Sequence, residues 1–201
     1  MKADGHTVAS FDVLYGDPKP MKQDVMNLLT PSGFALAALA ILNCKMDGFV
    51  SFLGLLCSSY VTVNAGTHGR TPFHPLGNSH YPSVQLSNAL TSRTCLLIYL
   101  ITAMGGVWIL EQPRSSLVSW HPRIRLLWKS IPKVWQAAWW AAHYRAPTPQ
   151  KTYLLGKQPS NCTLRHGHSI PSSSEGVGQE EQPRKTNGDV LIWWEEKVQR
   201  N

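Results

Sequence analysis

The stretch Val107–Pro113, which reads VWILEQP, decides the predicted fold. Four apolar residues lead to a single carboxylate, Glu111, and then to a proline. Strands buried in parallel sheets have such continuous apolar runs, and open α/β sheets bind ligands at the carboxyl ends of their strands. Glu111 is the only carboxylate between Asp47 and Glu175. We therefore expect it either at a ligand-binding edge or as an ordinary acid that ends a strand.

Upstream of this stretch, strand and helix signals alternate. Thr30-Pro31 has the pattern of a helix start, and Gly105-Gly106 breaks a helical stretch just before Val107. The predicted elements are a strand over 7–15, a helix over 34–44, a strand over 49–56, a helix over 87–104 and a strand from 107. This alternation predicts an α/β fold with a parallel sheet, in which the ends of the three strands share one edge.

Downstream of Pro113 the sequence predicts two helices, over 116–130 and 132–143, each with tryptophans at helical spacing. Residues 151–155 have the composition of a further strand. We expect one α/β domain over residues 1–157, a disordered segment over 158–189 and a short terminal helix over 190–201.

The charge distribution favours an anionic partner. The chain has 19 basic and 12 acidic residues, a net charge of +7, and a sequence pI near 9.4. Residues 114–165 contain no acid and nine basic residues: Arg114, Arg123, Arg125, Lys129, Lys133, Arg145, Lys151, Lys157 and Arg165. Such a block fits DNA or RNA, an anionic membrane surface or a solvated basic face. Arg114, Arg123 and Arg125, together with Arg70 upstream, are candidate phosphate contacts.

The cysteines and histidines indicate the cellular compartment and whether a metal site is expected. Four widely spaced cysteines, with no apolar stretch at residues 1–6, predict reduced thiols in an intracellular protein of the nucleus or cytoplasm. The eight histidines are scattered, so no metal site is predicted. Residues 94–110 are uncharged and of nearly membrane-spanning length, which keeps a membrane-associated protein as an alternative.

Three short segments carry a resemblance to a known family: FDVLYG from Phe11, GLLCSS from Gly54 and EQPRSSL from Glu111. Their order is similar to that of the SAM-dependent methyltransferase fold, and most similar to DNA cytosine-5 methyltransferases. Within that fold, the chain resembles a group of proteins from unicellular algae that share these segments. The resemblance covers about residues 5–155.

The resemblance implies a role for each candidate site residue. Asp12 would accept hydrogen bonds from the ribose hydroxyls of S-adenosylmethionine (SAM), and Asp24 with Val25 would contact the adenine. Cys57 falls where the family has the cysteine that adds to C6 of cytosine. Glu111 falls where a glutamate holds the N3 edge of the base. Attack requires a thiolate, so we expect positive charge, such as that of Arg70, to lower the pKa of Cys57.

This chain departs from the family at three places. Two leucines precede Cys57 where the family has a proline, and Gln-Pro follows Glu111 where the family has Asn-Val. The glycine-rich loop that wraps the methionine moiety is not found before Asp12. The expected fold is thus a three-layer, Rossmann-like methyltransferase sheet that lacks its first strand and glycine loop, as in an N-terminally truncated domain.

Three functions follow from these observations. The first is a SAM-dependent methyltransferase-like domain related to nucleic-acid cytosine methyltransferases, either active or inactive. The second is a non-catalytic basic α/β protein that binds nucleic acid, and the third is a membrane-associated protein anchored by residues 94–110.

Overall fold

The computed structural model describes residues 7–12, 25–44, 49–140, 151–157 and 191–196. Short 3-10 turns cover Thr62–Asn64 and Val118–Trp120. The helices and strands of the described residues, in chain order, are β1 (Thr7–Phe11), α1 (Pro31–Leu42), β2 (Phe49–Gly54), α2 (Ala65–His68), α3 (Pro82–Ala103), β3 (Val107–Pro113), α4 (Pro122–Ser130), β4 (Val134–Trp140), β5 (Lys151–Lys157) and β6 (Leu191–Glu196).

The strands form one mixed sheet in the order β1-β6-β2-β3-β5-β4. Strands β2 and β3 are parallel, whereas the other four neighbouring pairs are antiparallel. Because β6 is antiparallel to both β1 and β2, these two strands run in the same direction, as does β3. The expectation that three strands end at one edge is therefore confirmed, and this edge is called the carboxyl edge below.

The core lies on one face of the sheet. Side chains alternate along β2 and β3, so that Leu53 and Leu110 are in register and buried, whereas Phe52 and Ile109 are half-buried on the other face. Burial of each such leucine side chain contributes about 1.5–3 kcal/mol. Helix α3 packs against β3, α1 and α4, and all three helices contribute to the same hydrophobic cluster.

The three longer helices therefore contribute to one hydrophobic cluster, on the face of Leu53 and Leu110. The fold is α/β as expected, but its sheet is mixed and not parallel as predicted. The predicted three-layer, Rossmann-like arrangement is not confirmed, because the longer described helices all contribute to the cluster on the face of Leu53 and Leu110.

Local signals in the sequence positioned the first helix and the glycine turn correctly. Thr30 caps α1, since its hydroxyl accepts a hydrogen bond from the Gly33 amide at 3.0 Å, and Pro31 begins the helix. After α3, Gly105 adopts a φ of 77°, and a Cβ on Gly106 would lie 2.3 Å from the Phe49 ring. The glycine pair thus lets β3 start directly beneath a core aromatic ring.

Residues 94–110, the candidate membrane anchor, belong to α3 and β3, and much of this segment lies in the core. Thr94, Ile98, Ile101, Trp108 and Leu110 are all nearly inaccessible to solvent. In the part of the chain that the structure describes, no helix is long and apolar enough to cross a membrane.

Two predicted helices are wrong. The segment over 132–143 contains β4, which pairs with β5, and the terminal segment over 190–201 contains β6, which lies between β1 and β2. Both strands are rich in tryptophan and aliphatic residues, which suit a pleated sheet once partner strands are available. Because β6 belongs to the sheet, the α/β domain does not end at residue 157. The predicted disordered segment over 158–189 lies outside the described residues.

Candidate active site at the carboxyl edge of the sheet

The parallel pairing of β2 and β3 brings Cys57 and Glu111 to the same place. Gly54, the last residue of β2, is in register with Glu111 near the end of β3. Cys57 follows three residues later and is half-buried. The Glu111 carboxylate is near enough to raise the pKa of the Cys57 thiol, so the structure brings together the two residues that the family resemblance implies as a catalytic pair.

A tight turn, which we call the Cys57 turn (residues 57–61), presents the thiol. The carbonyl oxygen of Cys57 accepts hydrogen bonds from the amides of Tyr60 at 2.8 Å and Val61 at 3.1 Å. Val61 also forms an isolated bridge with Ser116, which ties the turn to the chain that follows β3. The turn is thus fixed from both strands that carry the site.

Gln112 joins the ends of β2 and β3, a role that the sequence reasoning missed. Its side chain is fully buried, its Nε2 donates to the Leu55 carbonyl at 2.7 Å, and its Oε1 accepts from the Ser116 hydroxyl at 2.7 Å. In the sequence, Gln112 stands out only as a departure from the Asn-Val pattern of the family that the chain resembles. An amide directly after a strand-end acid was the available signal for a buried hydrogen-bonding residue.

Burial raises the pKa of Glu111, and a hydrogen bond from the Thr152 hydroxyl partly opposes this effect. Thr152 lies on β5 and is itself buried. The neighbouring Tyr153 has its pKa raised to about 12, first by burial and to a smaller extent by Glu111. Burial therefore favours the protonated carboxyl of Glu111, and the Thr152 hydroxyl offsets part of this effect.

The Cys57 thiol is not activated by positive charge. Its pKa is raised, mainly by burial and then by Glu111, while a backbone hydrogen bond acts in the opposite direction. The predicted lowering by Arg70 is wrong, because the guanidinium is held by other groups. The free protein thus keeps Cys57 as a thiol at neutral pH.

Arg70 is also wrong as a phosphate contact. It is only 2 % exposed, and its guanidinium donates to Ser59, Pro75 and Asn88 of its own chain. It also lies 4.0 Å from the centre of the Tyr60 ring. A phosphate outside the protein cannot reach a side chain that is buried in this way.

Asp12 lies at the same edge but farther along the sheet. It is buried and comes one residue after the last paired residue of β1, in the row that contains Gly54 and Glu111. Three strand spacings separate it from Glu111, which is roughly 14 Å. Val25 is 45 % exposed, and Asp24 lies outside the described residues.

The three candidate phosphate contacts that remain are exposed. Arg114 directly follows β3, and Arg123 and Arg125 lie on α4. Arg125 lies 5.9 Å from the centre of the half-exposed Trp120 ring. His121, which caps α4, is in edge contact with Tyr60 of the Cys57 turn at 6.3 Å. The start of α4 therefore borders the carboxyl edge.

A groove of about 480 Å³ lies elsewhere, at the amino end of β4, and its walls include Trp128, Lys133, Trp135 and Leu155. It contains none of the predicted site residues. Within the described ranges, no group of three or more histidine, cysteine or acidic residues could hold a metal ion.

Comparisons with known proteins add no assignment. No family model, no curated protein and no solved structure matches the chain.

Proposed function

We propose that this chain is a methyltransferase-like α/β domain related to nucleic-acid cytosine methyltransferases. The observation that carries the proposal is the meeting of Cys57 and Glu111 at the ends of two adjacent parallel strands. In the proposed roles, Cys57 adds to C6 of a cytosine and Glu111 holds the N3 edge of the same base. The resemblance of the sequence assigns these two roles to the same two positions.

The protonation states support a coupled pair. Cytosine N3 is a hydrogen-bond acceptor, and a protonated carboxyl can donate to it. Burial favours this protonated form of Glu111, and its neutralisation removes the negative charge that opposes ionisation of Cys57. A base that accepts a hydrogen bond from the protonated Glu111 would keep this carboxyl neutral, which would favour ionisation of the nearby thiol.

The described residues fit SAM only in part. Asp12 has the position that the resemblance assigns to the ribose-binding acid. However, the place between β1 and β2 is taken by β6, which runs antiparallel to both. The loop that should wrap the methionine moiety has no counterpart among the described residues.

SAM binding is best tested by calorimetry with two variants of β1. Asp12→Ala should abolish saturable binding if the acid holds the ribose, while Ser10→Ala on the same strand should bind as wild type does. Equal binding by wild type and Asp12→Ala would remove Asp12 from the site. No binding by wild type would mean that the chain lacks a working cofactor site.

Methyl transfer to a cytosine-containing oligonucleotide tests the catalytic proposal. Cys57→Ala should abolish transfer, because the proposal assigns the bond to C6 to the Cys57 thiol. Cys44→Ala removes another half-buried thiol and should leave transfer unchanged. Equal rates for Cys57→Ala and wild type would contradict the assigned role of Cys57.

A second candidate is a non-catalytic protein that binds nucleic acid. The raised pKa of Cys57 favours this function, as do the exposed side chains of Arg114, Arg123 and Arg125. Reversal of Arg123 and Arg125 to glutamate should flatten the salt dependence of oligonucleotide binding, because fewer counterions are released. Reversal of Lys129 and Lys133 makes the same charge change near the other end of α4. If both pairs have the same effect, binding depends on net charge and not on this surface.

A further inference from the structure

We propose that Arg70 is the positioning residue that fixes the Cys57 turn next to Glu111. This inference rests on the proposed pairing of Cys57 with Glu111. It extends that proposal by naming the side chain, remote from the reacting atoms, on which the pairing depends.

The contacts of Arg70 join three separate pieces of chain. Its Nε donates to the Ser59 carbonyl at 2.7 Å, and its Nη2 lies 3.2 Å from the Ser59 hydroxyl. Its Nη1 donates to the Pro75 carbonyl at 2.6 Å and to Oδ1 of Asn88, on α3, at 2.9 Å. The guanidinium thus connects the Cys57 turn to the following loop and to a core helix.

Every one of these acceptors is neutral. A buried cation is normally paired with an acid, because its removal from water is costly. Here carbonyl, hydroxyl and amide oxygens, together with the face of the Tyr60 ring, take that role. An apolar residue would fill the same volume without this cost. The planar fork of the guanidinium has several donors in fixed directions, which suits it to hold three chain segments at once.

The neighbours of Arg70 extend the same framework. The Tyr60 hydroxyl lies 2.7 Å from the hydroxyl of Thr91, and the Asn88 amide donates to the Leu76 carbonyl at 2.9 Å. The imidazole of His68 accepts the Arg70 amide at 2.9 Å and contacts the Val61 carbonyl. The Cys57 turn is therefore held from α3 and from its own loop through groups centred on Arg70.

Arg70 acts on Cys57 through position and not through charge. Its guanidinium affects the pKa of Tyr60 and His121, whereas the pKa of Cys57 responds to burial, to Glu111 and to a backbone hydrogen bond. Loss of Arg70 should therefore change how strongly Glu111 affects Cys57. A residue that merely stabilises the fold would lower the melting temperature and leave this dependence intact.

The test is a mutant cycle that measures the pH dependence of Cys57 alkylation by iodoacetamide, followed by peptide mass spectrometry with Cys44 as the internal reference. In the wild-type background, Glu111→Gln should move the midpoint of the Cys57 profile to lower pH. In the Arg70→Gln background, this shift should be lost. Arg93→Gln is the matched control, because Arg93 also stacks on an aromatic ring, Phe34, at 4.6 Å, and should leave the shift unchanged.

Arg70→Lys keeps the proposal testable if Arg70→Gln does not fold. Lysine retains the charge but cannot reach three chain segments, so the shift should be lost in this variant as well. A full shift in either folded Arg70 variant would overturn the inference and leave the Cys57–Glu111 pair standing. If Glu111→Gln causes no shift even in the wild-type background, the proposed pair itself fails, and the inference fails with it.

Discussion

The two halves of the carboxyl edge differ in how completely they are built. Around β2 and β3, hydrogen bonds from Gln112 and Arg70 hold Cys57 and Glu111 together. Around β1, Asp12 is in place, but an antiparallel strand fills the position beside it. Side-chain hydrogen bonds thus fix the half of the edge that is proposed to bind a base. In the half that is proposed to bind the cofactor, the described residues fit the expected site only in part.

The strongest way to break the β2–β3 half is to remove part of its core. Leu110→Ala should destabilise the protein by about 2–5 kcal/mol, because it deletes a fully buried side chain between two strands and α3. Leu126→Ala, at a position that is 58 % exposed, should change stability by less than about 0.5 kcal/mol. Urea unfolding measures both. Similar costs for the two variants would contradict the core described for this half.

Gln112→Ala should have the next largest effect. It leaves the Leu55 carbonyl and the Ser116 hydroxyl without their buried partner, which costs about 1–3 kcal/mol. Gln136→Ala, on the exposed side of β4, serves as the control and should be nearly neutral. If Gln112→Ala unfolds at the same urea concentration as Gln136→Ala, the glutamine does not join the two strands.

The dependence of stability on pH tests whether the pKa of Glu111 is raised in the folded protein. The pKa of Glu111 is higher in the folded protein than in the unfolded chain. Its contribution to the free energy of unfolding is therefore fully present below the pKa of the unfolded chain, and it is lost as pH rises through the pKa of the folded protein. Glu111→Gln should therefore be stabilised relative to wild type at alkaline pH, and the difference should vanish in acid. Thr152→Val removes the hydrogen bond that favours the carboxylate and should steepen the loss seen in wild type. Chemical unfolding across the pH range measures both, and a Glu111→Gln variant with no alkaline gain would contradict the raised pKa.

Sequence signals correctly predicted those elements that depend on interactions between neighbouring residues in the chain. The Thr30 cap, the Gly105-Gly106 turn and the apolar run that ends at Glu111 each depend on neighbours in the chain. Strands β4 and β6 could not be predicted in this way, since tryptophans at their spacing suit a helix or a strand until a partner strand decides. Both were predicted as helices.

The site residues differ in the same way, because some depend on signals near them in the sequence and others depend on tertiary contacts. The family resemblance pointed to Cys57 and Glu111, and the parallel order of β2 and β3 places Glu111 in register with the end of β2, shortly before Cys57. The burial of Arg70 depends on acceptors at positions 59, 75, 84 and 88, which no local pattern reveals. The raised pKa of Cys57 likewise depends on the tertiary burial of its turn.

The measurement that tests the central claim most directly is the pH profile of Cys57 alkylation in wild type and in Glu111→Gln. The two side chains are held together at the carboxyl edge, so removal of the carboxylate should make the thiol ionise at lower pH, while the profile of Cys44 stays the same. Identical Cys57 profiles in the two proteins would show that Glu111 does not act on Cys57, and the proposed site would have to be abandoned.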